Sequence, residues 1–191
     1  MSKNRLEAFS DGVIAIILTI MVLNLQAPQG SETASLVPLL PRLAGYLLSF
    51  VFMGIYWANH HHLLQAAQKV NGAILWANLH LLFWLSLTPL TTAWMSQNHF
   101  ASLPTACYGV VLLLSAVAYY ILVRTLIAHH GKNSTLAQAI GQDFKGKISV
   151  VLYVLAIPLA FDWPGAALGI YVLVAVIWLV PDRRIERKLS T

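Results

Sequence analysis

Charged side chains are scarce in this sequence. Only 10% of the 191 residues are Asp, Glu, Lys or Arg, well below the roughly 25% of an ordinary soluble domain. Acids are the scarcer sign, with 7 Asp+Glu against 12 Lys+Arg. The net charge of +5 therefore reflects missing carboxylates. No basic face interleaved with aromatics accompanies it, so no nucleic-acid partner is expected. Cys107 is the only cysteine, which excludes an intrachain disulfide and a thiolate metal site. A Gly-rich phosphate loop, a Gly-x-Ser-x-Gly elbow and any Ser/His/Asp spacing that stands out are missing too. No enzyme is expected, no catalytic residue and no cofactor. What the chain does have is apolar length: 58% hydrophobic residues and a mean hydropathy of +0.70. That is the composition of an integral membrane protein.

The apolar runs number six. About 20 helical residues cross a hydrocarbon core of about 30 Å, which places spans at about 4–25, 36–59, 71–96, 104–128, 145–162 and 164–181. The whole chain reads as one all-α, six-span transmembrane domain. Barrel strands would alternate polar and apolar residues, and these runs do not. Only Asp162-Trp163-Pro164 parts the last two runs, which predicts a tight hairpin. Pro89 and Pro158 predict kinks in spans three and five. No small-residue cleavage site follows the first run, so it is expected to stay as a span. With the N-terminus in the cytoplasm, Lys3, Arg5, Lys69, Arg124, Lys132, Lys145, Lys147, Arg183, Arg184, Arg187 and Lys188 fall inside and only Arg42 outside. This asymmetry predicts a multi-pass protein of the cytoplasmic membrane with both termini cytoplasmic.

The first span carries acids at its edge. Arg5-Leu6-Glu7-Ala8-Phe9-Ser10-Asp11-Gly12 leads straight into an apolar stretch. At about 100° per residue, Phe9, Gly12, Ile20 and Leu23 lie within about 40° of Ile16, and Thr19 about 60° away. Asp11 and Ser10 lie about 140° and 120° round the helix. One face is thus an apolar stripe with a single hydroxyl, and the other offers Ser10 and Asp11 to neighbouring helices.

The run Arg5-x-x-x-Phe9-Ser10-Asp11 at the start of the first of six spans resembles the motif of the transmembrane protein 175 potassium-channel family. The resemblance implies a potassium-selective cation channel whose first helices line the pore. It implies a homotetramer in the bilayer, since the chain carries one six-helix repeat. It places the apolar constriction on Ile16, with Ile20 and Leu23 further out, and the selectivity hydroxyl on Thr19. Arg5 then stands at the cytoplasmic mouth, where a bare cation would repel potassium, so an acidic or carbonyl partner is expected. The motif serine and aspartate are expected to bind polar groups of spans two and three, which offer Trp57, Asn59, His60, Trp76, Asn78 and His80.

Two other readings use the same residues. Asp11 and His80 could form the titrating pair of a proton-coupled transporter, although transporter-like repeats and broken helices with a midplane charge are not visible. His60-His61-His62 suggests a membrane metalloenzyme. Consecutive helical residues diverge by about 100°, however, and cannot share one ion. No acid adjoins them in sequence, so no metal site is expected. Thr105-Ala106-Cys107-Tyr108-Gly109 superficially resembles a carbonyl filter. Cys107 stands where a glycine is needed, and no pore helix precedes it.

Overall fold

A computed structural model describes residues 2–131 and 144–179, and their regular structure is entirely helical. The elements are α1 (Lys3–Leu23), a 3-10 turn (Thr33–Leu39), α2 (Leu40–Ala66), α3 (Gly72–Ser86), α4 (Thr88–Gln97), α5 (Ser102–His130), α6 (Phe144–Asp162) and α7 (Pro164–Leu179). The 3-10 turn runs into α2, and α3 runs into α4, so these elements form six apolar segments. Five are long and apolar enough to cross a membrane: Lys3–Leu23, Thr33–Ala66, Gly72–Gln97, Ser102–His130 and Phe144–Asp162. The sixth, Pro164–Leu179, is shorter. The chain is an all-α membrane bundle. Lys132, Arg183, Arg184, Arg187 and Lys188, and the end of the sixth span near 181, lie outside the described residues.

The break between α3 and α4 falls at Leu87. Pro89 occupies the first turn of α4. Proline has no N–H to donate, and its ring clashes with the carbonyl four residues back, which disfavours it inside a continuous helix. Pro158 has no such effect: α6 continues through it to Asp162. A single residue, Trp163, then links α6 to α7, and its carbonyl accepts the amides of Ala166 and Ala167. Pro164 opens α7 at a position where the amide would have no helical partner.

Two buried clusters hold the bundle. In one, Leu6, Ile14, Ile17 and Met21 of α1 pack with Met53 and Leu64 of α2, Ile74 and Leu81 of α3 and Leu122 of α5. In the other, Phe52, Tyr108, Ala156, Ala160, Ala167 and Tyr171 join α2, α5, α6 and α7. Small residues let α6 and α7 approach closely, as expected where lipid supplies no hydrophobic drive between helices. The clusters put α6 and α7 on the side of the bundle away from α1.

The Thr105–Gly109 run lies wholly inside α5. Tyr108 is buried and hydrogen-bonds Ser49 Oγ at 3.0 Å, and Tyr171 Oη donates to the carbonyl of Thr105 at 3.3 Å. Gly109 is glycine because Tyr171 lies against its backbone: a Cβ there would overlap the Tyr171 hydroxyl and stand 2.7 Å from Cζ. Gly109→Ala should therefore destabilise the bundle by about 1–3 kcal/mol, as overpacking does. Thermal unfolding in detergent should show the loss, and adding Tyr171→Phe should recover part of it.

Candidate functional site

The two faces of α1 differ in what they touch. Leu6, Ser10, Ile14, Ile17 and Met21 are buried against the bundle. Arg5, Phe9, Gly12, Ile16, Thr19, Ile20 and Leu23 are exposed, with Ile16 at 59% and Leu23 at 78%. An unpartnered apolar stripe of about four turns is unusual on a helix whose other side is so well packed. A Cβ built on Gly12 would meet nothing within 4 Å. Thr19 donates its hydroxyl proton to the carbonyl of Ile16 at 2.8 Å. A hydroxyl has one proton and two lone pairs, so this bond fixes the rotor and leaves the oxygen as an acceptor on the exposed face.

The opposite side of α1 is tied to α2 by a ladder of polar contacts. Lys3 Nζ donates to the Gln65 carbonyl at 3.5 Å. Glu7 Oε1 lies 3.3 Å from His61 Nδ1. Asp11 Oδ1 accepts the Trp57 indole N–H at 3.1 Å. The contacts climb α1 and descend α2 in steps of four residues, the spacing that keeps side chains on one helical face. Trp57 also stacks on His61, with centroids 6.1 Å apart. The rungs are partly exposed, so each is worth little singly. Together they fix the register of two antiparallel helices.

Beneath the ladder runs a buried chain with a defined direction. Ser10 Oγ donates to the Leu6 carbonyl at 2.8 Å and accepts from Asn78 Nδ2 at 2.9 Å. Asn78 Oδ1 lies 2.7 Å from His60 Nε2. An amide oxygen only accepts, so His60 carries its proton on Nε2. Its Nδ1 is then the bare nitrogen, and it is buried without a partner among the described residues. Ser10, Asn78 and His60 are each almost wholly buried, so α1, α2 and α3 meet at a dry polar knot. Asn78→Ala would leave the His60 N–H unsatisfied and remove the donor to Ser10, at a cost of about 1–3 kcal/mol for each stranded group. The aggregation temperature in detergent should fall by several degrees. Asn59→Ala should leave it nearly unchanged, because the Asn59 amide bonds only Ile55 of its own helix.

The other candidate residues lie apart. Trp76 is exposed. His80 Nε2 accepts from Trp84 Nε1 at 2.9 Å, so Asp11 and His80 belong to different networks and do not form a pair. Arg5 has no hydrogen bond or ion pair among the described residues, so none of them is the acidic or carbonyl partner expected for it. The histidine run does have an acid beside it, Glu7 on His61, brought from α1 by the fold. Among the described residues, however, no group of three or more His, Cys, Asp or Glu could hold a metal ion. The pairing of Glu7 with His61 is not among the contacts expected from the sequence. Their signal was spacing: Glu7 and Asp11, like Trp57 and His61, stand four residues apart.

Comparison with known proteins converges on one family. The profile of "Endosomal/lysosomal potassium channel TMEM175" matches residues 5–89, from the motif of α1 into the start of α4. A potassium channel of Chryseobacterium sp. (strain P1-3) is 58% identical over 190 residues, covering 100% of this chain and 99% of that protein. A potassium channel of Streptomyces collinus is 32% identical over 125 residues, 61% of each chain. The crystal structure of a lysosomal potassium-selective channel TMEM175 homolog from Chamaesiphon minutus superimposes with a TM-score of 0.78 at 27% identity, covering 93% of this chain and 96% of that one.

Proposed function

The chain belongs to the TMEM175 channel family, and from that premise we propose that it is a potassium channel in which four copies surround a pore lined by α1. The observation that carries this reading is the exposed stripe of α1. Five apolar or glycine positions and one hydroxyl, held outward by a helix clamped from behind, make a surface suited to a narrow conduit. One copy cannot enclose a pore, so assembly about an axis is required. In that assembly Ile16, Ile20 and Leu23 form apolar rings and Thr19 a ring of oxygens. The Lys3–Asp11 ladder and the Ser10–Asn78–His60 knot anchor α1 without touching the ion. Potassium is the permeant ion, the bilayer is the solvent, and neither a cofactor nor a metal takes part. The asymmetry of basic residues supports a bacterial cytoplasmic membrane with both termini inside. Nothing favours the transporter reading, since its proposed pair is divided between two networks.

Purified protein in proteoliposomes should pass potassium down its gradient. Native mass measurement in detergent should give four subunits. A monomer that still moves ions would refute the shared pore. A tetramer that passes no potassium under any driving voltage would refute conduction.

A further inference from the structure

On the side of the bundle away from α1, a cavity of roughly 410 Å³ opens between α2, α5, α6 and α7. It is within the size range of ligand pockets, about 300–1,000 Å³. Ile55, Ala116, Val150, Tyr153 and Trp178 form much of its wall, and Lys147 stands among its lining. Among the described residues no carboxylate lines it.

Most of the lining is apolar, with the Tyr56, Tyr120 and Tyr153 hydroxyls among it, and several other polar atoms around the cavity are committed elsewhere. Trp178 Nε1 donates to Ser149 Oγ at 2.9 Å, and Ser149 Oγ donates to the Lys145 carbonyl at 2.8 Å. The Asn59 amide bonds the Ile55 carbonyl at 2.8 Å. Tyr119 Oη donates to the Asn59 carbonyl at 3.3 Å. Outside the tyrosine hydroxyls the wall offers few of the polar partners a buried water needs. An unfilled apolar space loses dispersion contacts along its whole wall. A bilayer supplies acyl chains at very high local concentration to fill it. Lys147 lies in the first turn of α6, and its side chain is exposed. Tyr153 is six residues further on, about 9 Å deeper along the helix. This is the layout of an amphiphile site, with a cation at the rim and an apolar shaft below it.

We propose that the cavity holds one acyl chain of an anionic phospholipid whose phosphate pairs with Lys147. The site is independent of conduction: failure to bind lipid leaves the pore reading standing, and absence of flux leaves the lipid site standing.

The test uses the full-length protein in proteoliposomes. Phosphatidylglycerol bearing a diazirine in its acyl chain is compared with phosphatidylcholine bearing the same chain, and adducts are mapped by mass spectrometry. Phosphatidylglycerol adducts should concentrate on residues 116–120 and 146–153. They should exceed phosphatidylcholine adducts there by about fivefold, the effect of one lysine at an anionic surface. Lys147→Gln, at an exposed position, should abolish that preference. Val150→Trp should fill the shaft and remove the adducts. Equal labelling by the two headgroups would overturn the assignment to an anionic lipid. So would adducts spread evenly over exposed positions such as Val172 and Leu173, or an unlabelled cavity covered by a second copy or another part of the chain.

Discussion

Ile16→Asn should raise the basal potassium current by at least about tenfold, equivalent to lowering the conduction barrier by about 1.4 kcal/mol. Four Ile16 side chains converging on an axis would make a ring with no hydrogen-bonding atom. Water leaves a narrow apolar ring, and a cation entering it would give up hydration with nothing in return. The closed state then needs no charged plug. Asparagine is smaller than isoleucine and brings an amide that holds water, so the ring both widens and wets. The effect can be read as a pore effect because of where the residue sits. Ile16 is 59% exposed, whereas its neighbour Ile17 is 3% exposed in the core. Polarity at Ile16 therefore disturbs no packing within the protomer. Ile17→Asn is the contrast: it should lower the yield of folded protein. Planar-bilayer recording in symmetrical potassium chloride, on protein shown to be tetrameric, decides the matter. An unchanged current would mean that α1 does not line the pore.

The face of α1 was legible in the sequence because it depends on one helix and one period. Once Ile16 is set as the centre, Phe9, Thr19, Ile20 and Leu23 follow from 3.6 residues per turn. Ser10 and Asp11 are displaced to the packed side by the same arithmetic. The composition likewise exposes the membrane class, because so few charges leave no soluble surface to build. Partner choice was less legible. Trp57, Asn59, His60, Trp76, Asn78 and His80 all offer donors at similar depth, and only tertiary packing selects among them. Asn78 enters the knot because it projects between α1 and α2. Trp76 is two residues away, about 200° round α3, and points out. His80 is captured locally by Trp84, one turn along its own helix.

Other features depend on two distant segments at once. Gly109 reads as part of a filter-like motif until Tyr171, 62 positions later, is seen lying on it. The Glu7–His61 rung needs the antiparallel register of α1 and α2, which no single-helix wheel contains. The break at Leu87 shows the reverse. Pro89 marked it correctly, but the same residue type at Pro158 leaves α6 continuous. Proline removes a bond in both places, and the sequence alone does not reveal which helix tolerates the loss.

Thr19→Val should lower the preference for potassium over sodium by about fivefold, a loss of about 1 kcal/mol of discrimination. In bi-ionic recording that is a reversal-potential shift of about 40 mV. Valine keeps the branched shape of threonine and removes one oxygen, so the pore radius is nearly preserved. What changes is the ligand field. The Thr19 hydroxyl proton is held by the Ile16 carbonyl, so in the proposed tetramer each subunit would offer the ion lone pairs on a neutral oxygen, with no competing donor. Four such oxygens would make a weak field. Sodium binds its water more tightly than potassium does, and a weak field compensates the loss of that water less well. Removing the oxygens erases this difference while leaving a path for both ions, so total current should fall less than selectivity. The carbonyl of Ile16 would also lose its extra donor, but it retains its helical amide partner, so α1 should stay intact. The measurement separates two roles. A reversal potential that moves while the tetramer persists places the hydroxyl on the ion path. One that stays fixed, with current unchanged, would remove Thr19 from it and require another source of selectivity.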